Sequence, residues 1–238
     1  MKKYFQFFIS AVLCLVAVAL VACGDDDEPQ YKLKGDAVDL GLSVNWASQN
    51  LGAANSASFG SLHCWADSAG GSSSMEGIKV YFRLEDGVEK TYCEWSTTRY
   101  GGMNPPMSIS GSILDIAHYQ WGDMWRLPTK AEWQELIDRC TWTETTQEGV
   151  KGMQVTGPNG NSIFLPYGGM RENGSVSLKN VAGVYWTDAS LTAAEQKANN
   201  IVSTVRCCAW AVEINNGKAA LVPQLRCNGL SLRPVMPK

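Results

Sequence analysis

One stretch of the chain, residues 122–142 (GDMWRLPTKAEWQELIDRCTW), constrains the fold more than any other. Thr129 is a good helix N-cap, because its hydroxyl can accept a hydrogen bond from the unpaired amides of the first turn. Glu132 follows three residues later and completes a capping box. The sequence therefore predicts a helix of about ten residues near 130–139, with one face buried against a sheet. The buried face would carry Trp133, Leu136 and Ile137, and Glu135 and Arg139 would form an exposed pair one turn apart.

Residues 1–22 have the features of an export signal rather than of a folded segment. Lys2 and Lys3 supply positive charge, and an apolar run from Phe5 to Val21 follows. This run is nearly long enough to span a bilayer, so a short transmembrane anchor is the alternative interpretation. The segment Leu20–Cys23 (LVAC), however, resembles a bacterial lipobox. That resemblance implies lipid attachment at Cys23, and hence anchoring to a membrane through lipid.

A run of carboxylates directly follows Cys23, in residues 24–28 (GDDDE). Like charges adjacent in sequence repel one another, which keeps such a segment extended and hydrated. We therefore interpret residues 23–35 as a lipidated acidic tether and expect the folded domain to span residues 36–238. The tether also resembles the acidic signal behind the lipidated cysteine of surface lipoproteins in Bacteroides-like bacteria. This resemblance implies an outer-membrane location with the domain facing the cell exterior.

Short strands and tight turns dominate the rest of the chain. In residues 79–92 (KVYFRLEDGVEKTY), apolar and polar side chains alternate before Asp86-Gly87, which predicts a hairpin with a type I′ turn. One main helix among many short strands predicts an α+β domain, with a loop and hairpin insertion near 66–118. A second hairpin is predicted at 150–155 and 162–165. Further strands are predicted at 38–47, 59–65, 183–186, 207–214, 218–222 and 230–235. One helical turn is predicted at 113–119, and loops are predicted at 168–179, 191–205 and 223–229.

Several short motifs occur in the order found in one known family. They are Val38–Leu42 (VDLGL), Trp46-Ala47, Trp125–Thr129 (WRLPT), Asn161–Pro166 (NSIFLP), Tyr185-Trp186 and Ser231–Val235 (SLRPV). Together they resemble the major paralogous domain first noted in Fibrobacter succinogenes and abundant in Bacteroides lipoproteins, over about residues 36–238. The resemblance implies a C-type lectin-like fold, with a twisted sheet, a flanking helix and termini close together. Residues 126–133 (RLPTKAEW) also resemble the helix start of formylglycine-generating-enzyme domains, which share that fold.

In lectin-like folds the loops between the last strands form the ligand surface, held by the sheet and helix. The resemblance implies non-catalytic binding of an extracellular glycan or protein, as in an adhesin or a variable receptor diversified by a retroelement. The alternative is a structural or accessory component of a surface assembly such as a fimbria, with other envelope proteins as partners. The predicted ligand-binding residues are Asp188, Ser190, Glu213, Lys218, Gln224, Arg226 and Asn228.

An enzyme of the formylglycine-generating type is the least favoured alternative. It would need a reactive cysteine pair near the C-terminal sheet, for which Cys207, Cys208 and Cys227 are the candidates. The other active-site motifs of those enzymes do not match, so we expect no enzymatic activity.

Export also permits disulfide bonds among the cysteines of the domain. Cys64 and Cys93 bracket the first insertion and are the predicted disulfide pair. Cys207 and Cys208 are neighbours on a predicted strand. Their side chains should therefore point to opposite faces of the strand and should not bridge each other.

We expect no metal, no cofactor and no nucleic-acid partner. The sequence has only two histidines, His63 and His118, and no Cys-x-x-Cys spacing that would favour zinc. The calcium-binding motifs of sugar-binding lectins are matched only in part, at Gly157–Asn159 and Trp186–Asp188. The net charge of −3 and the absence of a basic run argue against nucleic acid.

Overall fold

The computed structural model describes residues 34–66, 78–95, 106–122, 124–172, 174–203 and 207–238, with only the backbone described at 78–82 and 92–95. The predicted leader and the tether up to residue 33, Cys23 included, lie outside this range. The described residues form a strand-rich α+β fold, which confirms the predicted class. The helices are α1 (Ile116–Trp121), α2 (Lys130–Arg139) and α3 (Ala193–Ala198). The strands are β1 (Ala37–Asp39), β2 (Asn45–Ala47), β3 (Ile78–Glu85), β4 (Val88–Trp95), β5 (Thr141–Gln147), β6 (Val150–Thr156), β7 (Ser162–Pro166), β8 (Met170–Glu172), β9 (Ser175–Ser177), β10 (Ala182–Ser190), β11 (Ile201–Val202), β12 (Cys208–Asn215), β13 (Lys218–Leu225) and β14 (Val235–Met236).

Helix α2 begins and ends as its sequence predicts. The Thr129 hydroxyl accepts a hydrogen bond from the Glu132 amide at 3.1 Å, and the Glu132 carboxylate accepts one from the Thr129 amide at 2.7 Å. Arg126 adds an ion pair to the same carboxylate at 2.6 Å. Trp133 and Leu136 are fully buried, and the predicted pair of Glu135 with Arg139 forms at 2.8 Å. The helix is therefore fixed at its N-terminus by both a capping box and a partly buried ion pair.

Two predicted hairpins are confirmed, and one strand was missed. β3 and β4 pair antiparallel around Asp86-Gly87, whose φ angles of 53° and 78° suit the predicted turn. β6 pairs with β7 as predicted, but β5 adds a third strand to that sheet. The sequence of β5, TWTETTQ, lacks an apolar alternation, because its side chains are exposed or only half-buried. It is placed by the turn at Glu148-Gly149, where both residues have positive φ.

The central sheet has the order β10-β12-β13, and all of its strands pair antiparallel. Successive residues of β12 enter different cores. Ala209 and Ala211 contribute to one core, and Val212 and Ile214 contribute to the other. Because side chains alternate along a strand, the sheet is covered on both faces. The first core also holds Trp65, Trp121, Trp125 and Trp186, and the second holds Trp46, Trp133, Met153 and Tyr185.

The beginning and end of the folded domain meet in a separate three-stranded sheet, of order β1-β2-β14. Arg233, just before β14, is completely buried and lies between these segments. Its guanidinium donates to the Ala47 carbonyl at 2.9 Å, to the Asn50 side-chain oxygen at 2.9 Å and to the Phe164 carbonyl at 2.6 Å. One side chain thus ties β14 to the segment after β2 and to β7.

Several segments differ from the sequence predictions. The predicted strand at 230–235 forms only isolated bridges at Leu230 and Ser231 before β14, and β13 extends to Leu225, into the predicted loop at 223–229. The predicted loop at 168–179 contains the β8-β9 hairpin, and the predicted excursion at 191–205 contains α3 and β11. The predicted strand at 59–65 makes only a single bridge, between His63 and Leu230. In the described part of the chain, no helix has both the length and the apolar character that a membrane span needs.

Candidate functional site

The seven residues predicted to bind a ligand do not form one loop surface. Asp188 and Ser190 lie at the end of β10, Glu213 lies within β12, and only Arg226 and Asn228 follow the last long strand in a turn. Lys218 and Gln224 lie near opposite ends of β13, and Lys218 is exposed. Most of the length of β13 therefore separates Lys218 from Gln224 and from the residues at that end of the sheet, and Glu213 lies near Lys218 instead.

Four of the seven are also buried, so their predicted exposure is wrong. Asp188, Ser190, Arg226 and Asn228 retain only 4%, 1%, 6% and 3% of their surface exposure. Two segments far away in sequence pack along these ends. Residues 107–109 pair with the end of β10, where the Ser190 amide donates to the Met107 carbonyl at 2.9 Å, and the segment around Trp65 lies beside the turn after β13. The Trp65 indole donates to the Thr187 carbonyl at 2.9 Å, and the Trp65 amide donates to the Arg226 carbonyl at 3.0 Å.

Asp188 holds the start of helix α2. Its carboxylate accepts hydrogen bonds from the Ser108 hydroxyl and from the Lys130 amide, the latter at 3.1 Å. Burial raises the pKa of this carboxyl above its usual range, and the bonds from Ser108 and Lys130 offset part of that rise. The side chain therefore positions the segment that carries Lys130.

Arg226 and Asn228 stabilise the turn after β13. The Arg226 guanidinium lies 5.8 Å from the centre of the Trp65 ring, and the Arg226 amide donates to the Cys207 carbonyl at 3.0 Å. The Asn228 side chain donates to the Gln224 side-chain oxygen at 3.1 Å. An Arg226→Ala change would remove packing against Trp65, so loss of ligand binding in that variant would not distinguish recognition from stability.

Close to Asp188, three partly exposed side chains from three different elements meet. We call Lys130, Glu195 and Trp210 the distal cluster. The Lys130 ammonium lies 3.7 Å from the centre of the Trp210 ring, a cation–π contact. The Trp210 indole donates to the Glu195 carboxylate at 3.2 Å, and the Lys130 ammonium lies 3.4 Å from the same carboxylate. An aromatic ring and both signs of charge are thereby held in a fixed arrangement at the surface.

Glu195 is held from its own helix as well. It closes a capping box with Thr192 at the start of α3. Burial acts to raise the pKa of Glu195, but hydrogen bonds from Thr192 and the charge of Lys130 outweigh it and lower the pKa. The carboxylate is therefore charged at neutral pH. The motif Thr192–Glu195 (TAAE) is a capping box in the sequence, and it could have identified α3.

The thiol of Cys227 does not have the low pKa that a nucleophilic cysteine would need. Burial raises its pKa to about 12, with a further contribution from the nearby Cys64 sulfur. Burial also raises the pKa of Cys140. Within the described ranges, no group of three or more His, Cys, Asp or Glu side chains is arranged to hold a metal ion. The side chain of Cys93 lies outside the described part, so the Cys64–Cys93 pairing stays a prediction.

His63 makes the stability of this region depend on pH. Its Nε2 atom is buried without a hydrogen-bond partner among the described residues. Burial, reinforced by the charge of Arg171, lowers the pKa of His63 to about 4. The unfolded chain binds a proton to this residue from about pH 6.5 downwards, whereas the folded chain resists it. Stability from His63 is therefore complete above pH 6.5 and is lost as the pH falls towards 4.

We expect the free energy of unfolding to fall more in the wild type than in His63→Gln between about pH 7.5 and about pH 5, by about 2 kcal/mol. Urea unfolding of both proteins at the two pH values measures this difference. Both proteins carry the same carboxylates, so the variant serves as the control for the carboxylates that titrate in the same pH interval. Equal losses in the two proteins would contradict the assignment.

Known proteins add no second line of evidence for the site. Its description therefore depends on the contacts given above. Comparisons of the chain with protein-family models, with curated proteins and with solved structures found no match.

Proposed function

We propose that the chain is a lipid-anchored outer-membrane protein whose domain faces the cell exterior and binds an extracellular glycan or protein without catalysis. The lipobox-like segment at Cys23 and the acidic tether support the location. The ordered family motifs support a C-type lectin-like domain, and the α+β fold with adjacent chain ends is compatible with it. We place the binding surface at the distal cluster rather than at the seven residues of the sequence prediction.

The observation that carries this proposal is the fixed arrangement of Trp210 with Lys130 and Glu195. Tryptophan is among the residues that dominate the binding energy of many interfaces. A ring already held by a cation–π contact and a hydrogen bond loses little conformational entropy when a ligand packs on it. Since the Lys130 and Glu195 side chains are 37% and 35% exposed, polar groups of a ligand can reach them.

Buried polar residues hold the backbone of the distal cluster in place. Asp188 fixes the Lys130 backbone, and the capping box of α3 fixes Glu195. Gln196, the next residue of α3, accepts a hydrogen bond from the Cys207 amide at 2.9 Å, just before the strand that carries Trp210. The three elements of the cluster are therefore linked through side chains that face inwards.

The proposal predicts capture of a specific ligand by the mature domain. Residues 24–238, produced without lipid, would be applied to arrays of glycans and of extracellular proteins, with and without calcium. We expect a hit that survives calcium removal and that is lost in the Lys130→Ala variant. A blank from folded protein would contradict ligand binding and would favour a role within a surface assembly, which pull-downs from the cell envelope would then test.

A further inference from the structure

Four of the described cysteines gather at the same end of the central sheet. The Cys64 sulfur lies 3.1 Å from the Cys227 carbonyl oxygen, and both side chains are thiols in the structure. The Cys207 carbonyl accepts a hydrogen bond from the Arg226 amide, so Cys207 lies on the other side of the turn that contains Cys227. The sulfurs of Cys207 and Cys208 are 3.8 Å apart. Cys207 precedes β12, which is why strand alternation does not separate this pair as the sequence predicted.

Backbone hydrogen bonds hold the segments of Cys64 and Cys227 side by side. On one side of the pair, His63 and Leu230 exchange two bonds of 2.9 Å. On the other, the Trp65 amide donates to the Arg226 carbonyl at 3.0 Å. One residue lies between His63 and Trp65, whereas three lie between Arg226 and Leu230. Cys64 therefore faces the turn that contains Cys227, and its sulfur reaches the Cys227 carbonyl.

We infer that Cys64 and Cys227 form a disulfide bond when the chain folds in an oxidising compartment. Each thiol gives up its proton and the two sulfurs share a new bond. The two electrons pass to a disulfide-bearing oxidant, which is reduced to two thiols. Both cysteines are buried in the fold, so the bond forms while the segments assemble rather than afterwards.

Other partners for these two cysteines fit less well. The Cys207 sulfur lies 3.6 Å from the Gln196 side-chain oxygen and beside Cys208. A Cys207–Cys208 bond would join adjacent residues, whose Cα atoms are about 3.8 Å apart across a trans peptide, closer than a relaxed disulfide prefers. Cys140 packs against the core on the α2 side of the sheet, away from this end. Cys227 is therefore the partner that the described geometry gives to Cys64.

The bond would tie the segment that covers the sheet to the turn after β13. Residues 64 and 227 are separated by 163 positions, so the cross-link would greatly restrict the unfolded chain. The covering segment includes Trp65, which holds Thr187 next to Asp188 and so supports the distal cluster. Folding in an oxidising compartment rests on the location proposed above, but the pairing of Cys64 with Cys227 does not.

Peptide mapping of the wild-type chain tests the pairing directly. The full chain would be isolated from an exporting bacterial cell, alkylated under denaturing, non-reducing conditions and digested. In parallel, chain refolded with oxidised glutathione would be mapped, so that a wrong location and a wrong pairing give different results. We expect a peptide joining Cys64 to Cys227 in both samples. A bond in the refolded sample alone would support the pairing and overturn the location, whereas a Cys64–Cys93 peptide, or alkylation of both cysteines in both samples, would overturn the pairing.

A thermal measurement provides a second readout. Reductant should lower the melting temperature of the oxidised wild type by about 10 °C. It should leave the double variant Cys64→Ser/Cys227→Ser unchanged, while the Cys140→Ser control should shift like the wild type. An unchanged wild-type melting temperature after reduction would contradict the inference. Because the mapping needs no variant, it decides the matter if the double variant fails to fold.

Discussion

Replacing Arg233 with alanine should lower the free energy of unfolding by about 3–5 kcal/mol. The guanidinium is fully buried and donates to the Ala47 carbonyl, the Asn50 side chain and the Phe164 carbonyl. Burial lowers its pKa only to about 10, so the side chain is charged at neutral pH. Truncation leaves buried acceptors without this donor and a cavity where the side chain was.

Chemical denaturation of the wild type and of Arg233→Ala measures this loss. Arg139→Ala is the matched control, because the Arg139 side chain is 52% exposed in its pair with Glu135. A surface pair of this kind contributes about 0–1 kcal/mol. If both variants lost a similar amount of unfolding free energy, Arg233 would not stabilise the contact between the two ends of the domain.

Replacing Asp115 with alanine should lower the free energy of unfolding by about 3–4 kcal/mol. Its carboxylate caps α1 by accepting from the amides of Ala117 and His118. It also accepts from Gly111 and Leu127 at 2.8 and 2.7 Å, which joins the loop before α1 to the segment before α2. Burial raises the pKa of Asp115, and these four backbone bonds offset part of the rise. Without the carboxylate, buried amides on both sides of α1 lose their acceptor.

Denaturation curves for Asp115→Ala and for Asp138→Ala test this role. Asp138 is an exposed carboxylate on α2 that accepts only from Gln134 in the contacts described, at 2.8 Å. We expect its replacement to change stability by about 0.5 kcal/mol or less. A small loss in Asp115→Ala, comparable to that of the control, would show that water replaces the carboxylate at little cost.

The sequence predicted those elements whose signals are local. The capping box from Thr129 to Glu132 determines where α2 begins, and both bonds of that box are present. Asp86-Gly87 likewise determines the β3-β4 turn, because both residues adopt the positive φ that the turn requires. Each of these signals acts within a few residues, so neighbouring sequence is enough to interpret it.

The site was predicted less well, because its burial depends on contacts distant in sequence. Nothing near Asp188 or Arg226 indicates that residues 107–109 pair with the end of β10 or that Trp65 lies beside the Arg226 side chain, yet both residues are buried. Trp210 shares a strand face with the buried residues Val212 and Ile214, but it is only half-buried, and Lys130 and Glu195 hold its ring at the surface. These three residues come from separate elements, so only the folded chain brings them together.

The affinity of the captured ligand for two lysine variants tests the central claim most directly. Lys130→Ala removes the cation beside Trp210 but keeps the backbone amide that Asp188 accepts from. Lys218→Ala removes a lysine from the start of β13, far from the cluster. We predict binding weaker by about tenfold or more for Lys130→Ala and unchanged binding for Lys218→Ala, with both proteins folded. Unchanged binding in Lys130→Ala, or loss only in Lys218→Ala, would contradict a binding surface at the distal cluster.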